Sequence, residues 1–393
     1  MEYLVKSPAK QRPYTEAEIA AVLDVMRSGK GQTQGEYMTR FQDEFRAFTG
    51  ANHAFAVDNC TNALSLAATL CGVKEGDEVL CPAYTFCASA IPFAKAGAKI
   101  VWCDMDPVTW CVDPADIERK ITEKTRVIIA VHLLGMPCDM EKIMTIAEKH
   151  KLRVVEDCAQ ALDARINGRH VGTFGDFGCF SFHNAKTFTT LGEGGMLTVK
   201  NEKDAAVVPG IRFNGCCSYP ARERDWIPAM SNVDMHLDGF WPNNFCLGEA
   251  QCAVGLAALS TLKADTDRII AQNMRLRELL RDVSEISFNT IPEGYRHVCH
   301  QYVLHFDGSA FGKTRDDLME LLRNKYRIYS IVQYYPLYRY PLYQKLGQGE
   351  FDCPRLEAFW DQSFSVPMWC GMTEEDLVTI ANAVRGAVAD LKG

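Results

Sequence analysis

No apolar run in this sequence is long: the stretch 127–131 is typical, far short of the roughly 20 residues that span a bilayer. Basic charge is not in excess either. Lys and Arg total 42 against 50 Asp and Glu, a formal net charge of -8. With no basic stripe, that balance argues against a nucleic-acid or anionic-membrane surface. The 16 cysteines never form Cys-x-x-Cys; they are scattered and include the adjacent Cys216-Cys217. Neither a disulfide framework nor a thiolate metal site has its spacing, so free thiols in a reducing, cytoplasmic setting are expected. The 9 histidines include no His-Glu-x-x-His, which leaves a catalytic metal without support. No signal-peptide layout follows Met1, and no repeat or low-complexity tract interrupts the chain.

What is present is a globular composition, 47% hydrophobic and 23% charged over 393 residues, enough for two or three domains. Between 54 and 199, β-type runs at 54–57, 78–80, 99–102, 127–131 and 153–155 alternate with helix-type segments. That is the rhythm of an α/β sheet covered by helices on both faces. Met140, Ile143, Met144 and Ala147 are spaced for one helical face. Apolar positions recurring over 256–280 predict a long amphipathic helix that leads from a large domain, 1–255, into a smaller one, 256–393. There a strand within 297–306 and two helices opening at capping-box patterns, Thr314 and Thr373, are expected. The segment 212–244 is polar, aromatic and aperiodic, a candidate functional loop.

A largely parallel sheet places ligands at the C-terminal ends of its strands, and Thr61, Phe86, His132, Asp157 and Ser181 each follow a predicted strand. Lys186 is the most informative residue, set in Cys179-Phe180-Ser181-Phe182-His183-Asn184-Ala185-Lys186 and followed by Gly192-Glu193-Gly194-Gly195. A lysine can hold an aldehyde as a Schiff base, and a carboxylate can keep a pyridine nitrogen protonated. Lys186 and Asp157 therefore resemble the two halves of a pyridoxal phosphate (PLP) site. Taken singly, Asp157 equally fits a helix cap, Thr61 an N-cap, Phe86 a core ring and His132 a core histidine. Two glycine-rich stretches carry no nucleotide motif: 29–35 is one residue too long for a dinucleotide fingerprint, and 312–314 lacks the P-loop glycine five positions earlier.

Jointly these segments resemble the DegT/DnrJ/EryC1/StrS family of sugar aminotransferases. The likeness is carried by Gly76-Asp77-Glu78-Val79, Thr85-Phe86, Asp104-Met105-Asp106-Pro107, Glu156-Asp157 with Ala159-Gln160, Phe180-Ser181-Phe182 and the Lys186 block, over roughly 31–387. The resemblance implies the type I fold of PLP-dependent transferases: α/β, a large domain with a mixed, mostly parallel sheet flanked by helices, and a smaller C-terminal α+β domain. It implies Lys186 as the Schiff-base lysine, Asp157 on the pyridine nitrogen, Phe86 stacked on the ring and Gln160 near the ring hydroxyl. Ser181, Thr61 and Asn62 would hold the phosphate. Asn244 would reach into a neighbouring subunit, which implies a homodimer with shared active sites.

His183, Arg212, Tyr338 and Arg339 are the candidate substrate contacts. Cys60, Asp163, Cys246 and Tyr338 depart from the family's usual glycine, glycine, arginine and histidine. The implied reaction moves an amino group from glutamate or glutamine to a keto sugar, most often nucleotide-linked, in antibiotic or polysaccharide biosynthesis. A free cyclitol ketone of aminoglycoside or ansamycin type is the alternative acceptor. A PLP-binding regulator without turnover and a cysteine desulfurase are weaker readings, and deoxygenation is disfavoured by the presence of Lys186.

Overall fold

The computed structural model describes residues 2–215, 237 and 239–393; most of the aperiodic segment 212–244 and the Cys216-Cys217 pair lie outside the described residues. Nine strands come from the first half of the chain. They are β1 (His53–Val57), β2 (Glu78–Pro82), β3 (Lys99–Cys103), β4 (Thr125–Val131), β5 (Arg153–Asp157), a short hairpin β6 (Arg165–Ile166) and β7 (Arg169–His170), β8 (Phe177–Ser181) and β9 (Gly195–Val199). Seven of them form one sheet in the order β1-β9-β8-β5-β4-β2-β3. Only β9 runs against the rest, antiparallel to β1 and β8 on either side. Helices cover both faces, so β4 is buried along almost its whole length and reads Val-Ile-Ile-Ala-Val without alternation.

The reversed strand decides how the sheet ends. Gly195 opens β9 opposite Val57 and Ser181, the last residues of its neighbours. A Cβ on Gly195 would come within 2.7 Å of the Asn59 carbonyl carbon and 2.8 Å of the Phe180 oxygen. Glycine is thus what lets the turn after β1 close against β9. Gly195→Ala is expected to cost about 1–3 kcal/mol of stability in urea unfolding, the scale of overpacking a tight site. Helix Cys60–Leu70 follows that turn, and its N-cap is Asn59, whose side chain accepts the Asn62 N–H at 2.8 Å. Thr61 is therefore not the cap; it lies inside the first helical turn.

In the second unit β10 (Ile286–Ser287), β12 (Tyr302–Phe306) and β13 (Ser363–Val366) make a small antiparallel sheet, while β11 (Tyr295–Arg296) crosses back to pair with β6. Helices Arg315–Asn324 and Glu374–Lys392 pack on it, and both begin with the expected capping boxes, Thr314 with Asp317 and Thr373 with Asp376. The long helix is Glu249–Leu279, so it starts before residue 256 and runs through the expected domain boundary. Its Cys252 and Leu262 belong to the large unit's core and its Ile269 and Leu276 to the small one's. The N-terminal arm crosses too: Val5 bridges to Ile328 and packs in the C-terminal core.

The strand expected over 297–306 begins only at Tyr302. Cys299 has a left-handed φ of 52°, and the His300 N–H is committed to the Leu134 carbonyl at 2.9 Å, which diverts this stretch from the small sheet. Among the described residues no helix is long and apolar enough to cross a membrane.

Candidate active site

A cavity of about 990 Å³ opens at the C-terminal ends of β1, β5 and β8, roofed by the second unit. Eight of the residues singled out in the sequence line it, although up to 125 positions separate them: Thr61, Asn62, Phe86, Asp157, Gln160, Ser181, His183 and Lys186. Chain topology brings them together. Asp157 and Ser181 end adjacent parallel strands, Thr61 and Asn62 sit in the first turn of the helix after β1, and Lys186 follows β8.

Asp157 is buried, and its carboxylate accepts the Ser89 hydroxyl at 2.6 Å and the Ala159 N–H at 3.0 Å. Ser89 is steadied in turn by Thr85, 2.9 Å away. Lys186 is half-buried, and its N–H donates to the His183 carbonyl at 2.9 Å, closing a turn that folds the side chain back to the cavity. Burial lowers its ammonium pKa and the charge of Asp157 works against that; burial wins. More of this lysine is a free amine at neutral pH than of a surface lysine.

The helix N-terminus supplies the site's positive dipole end. Thr61 is exposed to the cavity beside Ser181. Asn62 keeps less capacity, since its main-chain N–H goes to Asn59 and its amide to Asp58 at 2.8 Å. Cys60 is also in the lining; the turn accommodates the thiol by burying it, and burial raises its pKa well above normal. Phe86, 58% exposed, presents its ring to the cavity. Gln160 accepts the Leu134 N–H at 2.8 Å and donates to the Tyr334 hydroxyl at 2.9 Å, so its position is fixed from both sides. The His183 Nδ1 accepts the Ala185 N–H at 3.1 Å, which assigns the ring proton to Nε2, 3.8 Å from Glu193.

Other candidates stand elsewhere. Arg212 is buried outside this cavity and donates to the Ala56 carbonyl and Gln42, each at 2.8 Å. Tyr338 is fully buried, hydrogen-bonded to Glu357 and stacked on Phe351. Arg339 pairs with Glu357 behind the lining and lies 4.8 Å from the Trp360 ring. Asp163 is taken up by Arg165 and Arg296. Cys246 pairs its backbone with Val57, and Asn244 is exposed, away from its own chain's cavity. For Arg212, Tyr338, Arg339 and Asp163 the physical reason is shared: each finds a nearer protein partner once the chain packs.

His132 is a core residue. Its Nδ1 accepts the Cys138 N–H at 3.0 Å, leaving Nε2 to donate to Glu156 at 3.0 Å. Glu156 also takes the N–H groups of Gly172, Phe174 and Gly175, each at 2.7 Å. Burial pushes the Glu156 pKa up, but these hydrogen bonds outweigh it and hold it below the usual value. Its stabilisation is complete above the unfolded pKa of about 4.3 and is lost as pH falls through the depressed native value. Glu156→Gln should cost about 3 kcal/mol at neutral pH and flatten the acid limb of the stability curve, read by denaturant unfolding across pH.

The second unit contributes lining that local sequence pattern does not reveal: His300, Gln301, Gln333, Tyr334, Tyr335 and Trp360. Tyr335 packs edge-on to Trp360 at 5.5 Å and to Tyr340 at 5.8 Å, forming an aromatic rim. The one available signal is the density of tyrosines over 333–343.

This chain is similar to known proteins over nearly their full length. SpsC, a spore coat polysaccharide biosynthesis protein of Bacillus subtilis (strain 168), is 33% identical over 372 residues, covering 94% of both chains. GDP-perosamine synthase of Vibrio cholerae is 31% identical over 365 residues, 92% of this chain and 94% of that one. The crystal structure of an aminotransferase from Psychrobacter cryohalolentis superposes with a TM-score of 0.90 at 26% identity, covering 97% of this chain and 98% of that one. The model of the DegT/DnrJ/EryC1/StrS aminotransferase family matches residues 13–385, and this chain belongs to that family.

Proposed function

We propose that this aminotransferase holds PLP in the cavity and transfers an amino group from L-glutamate or L-glutamine to a nucleotide-linked keto sugar. The observation that carries the reading is the shared cavity of the Lys186 amine and the Asp157 carboxylate, with a helix N-terminus alongside. The donor set suits such a cofactor. An amine of lowered pKa can bond an aldehyde, a buried carboxylate can face a pyridinium, and Ser181, Thr61 and the helix dipole can take a phosphate. When bound, PLP supplies an electron sink for the carbon that exchanges its amine.

The rest is the protein's work. Lys186 holds the cofactor and then moves a proton, as base and acid in turn, a role its lowered pKa favours. Asp157, oriented by Ser89, keeps the ring charge fixed. Phe86, whose ring faces the cavity, would cover the bound ring, and Gln160, fixed by Leu134 and Tyr334, would meet its hydroxyl. His183, beside Glu193, is left as a donor toward the substrate. Arg212 and Tyr338, committed to protein partners, are not included.

A nucleotide-linked acceptor is favoured by the aromatic rim, on which a base can stack, and by the nature of the perosamine-forming relative. Asn244, exposed and absent from its own cavity's lining, supports a homodimer in which it completes the partner's site. The test is amino transfer from glutamate and from glutamine to a GDP-linked 4-keto-6-deoxyhexose and to a free inosose. Transfer to the nucleotide-linked ketone supports the reading; transfer to the inosose alone moves the acceptor to the cyclitol class, and transfer to neither refutes it.

A further inference from the structure

The wall that the second unit turns toward the cavity carries polar side chains whose hydrogen bonds the protein does not use. His300 is only 6% exposed and lines the cavity with Lys186. Its main-chain N–H goes to the Leu134 carbonyl, but its imidazole has no hydrogen-bond partner among the described residues. Next to it the Gln301 Oε1 is buried without a partner. Buried polar groups in a folded protein are nearly always satisfied, so the unpartnered Gln301 oxygen beside an imidazole that faces the cavity with its hydrogen bonds unused points to a ligand that satisfies them.

Their position is fixed. The Val298 N–H donates to Gly135 at 3.0 Å and the His300 N–H to Leu134 at 2.9 Å. Leu134 and Cys299 hold left-handed backbone at φ 58° and 52°, conformations that persist only where the surroundings impose them and that gather at functional sites. A Cβ on Gly135 would meet the His300 nitrogen at 3.0 Å, so the two segments approach as closely as glycine permits. The same junction positions Gln160 through the Leu134 N–H.

The chemistry of the ligand follows from charge. Burial, and after it the charge of Lys186, push the His300 pKa well below normal, so the ring is neutral with one donor and one bare acceptor nitrogen. A carboxylate or phosphate is ordinarily met by Arg or Lys, and the described lining holds no Arg and no Lys besides Lys186, whose amine is assigned to the cofactor in the reading above. A hydroxyl both gives and takes a hydrogen bond and matches a neutral imidazole and an amide.

We propose that His300, with Gln301 beside it, is a specificity-determining contact for a ring hydroxyl of the keto substrate, next to the carbon that receives the amine. This rests on the acceptor reading above. The experiment separates the two half-reactions in His300→Phe, His300→Asn and Gln301→Leu, each first checked for an unchanged melting temperature. L-glutamate is the donor. The acceptors are the GDP-linked 4-keto-6-deoxyhexose and the inosose, with analogues lacking one hydroxyl at a time. Calorimetric binding of the amino product gives a readout without turnover.

His300→Phe should lower kcat/KM of the acceptor half-reaction about 10- to 100-fold, mainly through KM, while the glutamate half-reaction stays within about twofold. Product binding weakens by the same factor, and His300→Asn, which keeps a donor and an acceptor, recovers part of it. Removing the matching substrate hydroxyl costs the wild type as much and costs His300→Phe nothing further. Equal losses in both half-reactions, or an unimpaired acceptor half-reaction, overturn the inference. A wild type that accepts neither ketone refutes the acceptor reading itself, a different result from an active wild type whose variants keep full acceptor efficiency.

Discussion

Lys186→Ala and Lys186→Arg are expected to abolish amino transfer, on the order of 10⁴-fold or more in kcat, the upper end of what a positioned proton-transfer group contributes. The chain should remain folded, because the Lys186 side chain serves the cavity; its structural contribution is the main-chain bond to the His183 carbonyl, which the variants keep. Two jobs are lost together. In the proposed role the amine would bond the cofactor and, once freed, the same amine would carry the proton. Arginine fails at both, since its guanidinium stays charged and planar. Small added amines give the sharper test: they should partly restore proton transfer to Lys186→Ala and leave Lys186→Arg inert, whose side chain still fills the space. Turnover by either variant at wild-type rate, with the visible band of bound cofactor retained, would remove Lys186 from the mechanism.

Asp157→Asn should follow, with kcat down about 10²- to 10³-fold, the cost of deleting one preorganised electrostatic contact. The substitution is nearly isosteric: the single Oδ1 of asparagine can keep the Ala159 N–H, while its Nδ2 replaces the oxygen that now accepts Ser89 and donates to the Ser89 hydroxyl instead. What disappears is the negative charge that, in the proposed role, would face the ring nitrogen. Ser89→Ala keeps the charge and loses only its orientation, so its loss should be much smaller, about fivefold to tenfold, as for one hydrogen bond to a charged group. Parallel kinetics on the two variants decide between charge and scaffold: equal losses would mean that Asp157 acts through packing.

Both residues are legible in the amino-acid sequence because their chemistry restricts the choice of residue type. In the proposed roles a Schiff base calls for lysine and a pyridinium for a carboxylate; Asp157 ends one strand and Lys186 follows another, each marked by an apolar run. The capping boxes at Thr314 and Thr373 are legible for a similar reason, since a few neighbouring residues contain the whole signal. Asn59 is harder to read than Thr61, because cap preference alone does not say which of two suitable residues the turn selects.

The substrate side is not legible in this way. Arg212, Tyr338 and Arg339 look available as single residues, yet burial beside Ala56, Glu357 and Phe351 engages them. His300 carries no local signal. Its place depends on two left-handed residues and a glycine contact that join segments more than 160 positions apart.

Residue order alone carries the reaction class, the sheet's strand-and-helix rhythm and the candidates for the covalent chemistry. Which polar groups keep unspent hydrogen bonds inside the cavity follows from packing. Covalent chemistry and helix capping depend on residue identity over a few neighbouring positions, whereas availability depends on what the rest of the chain packs against each side chain.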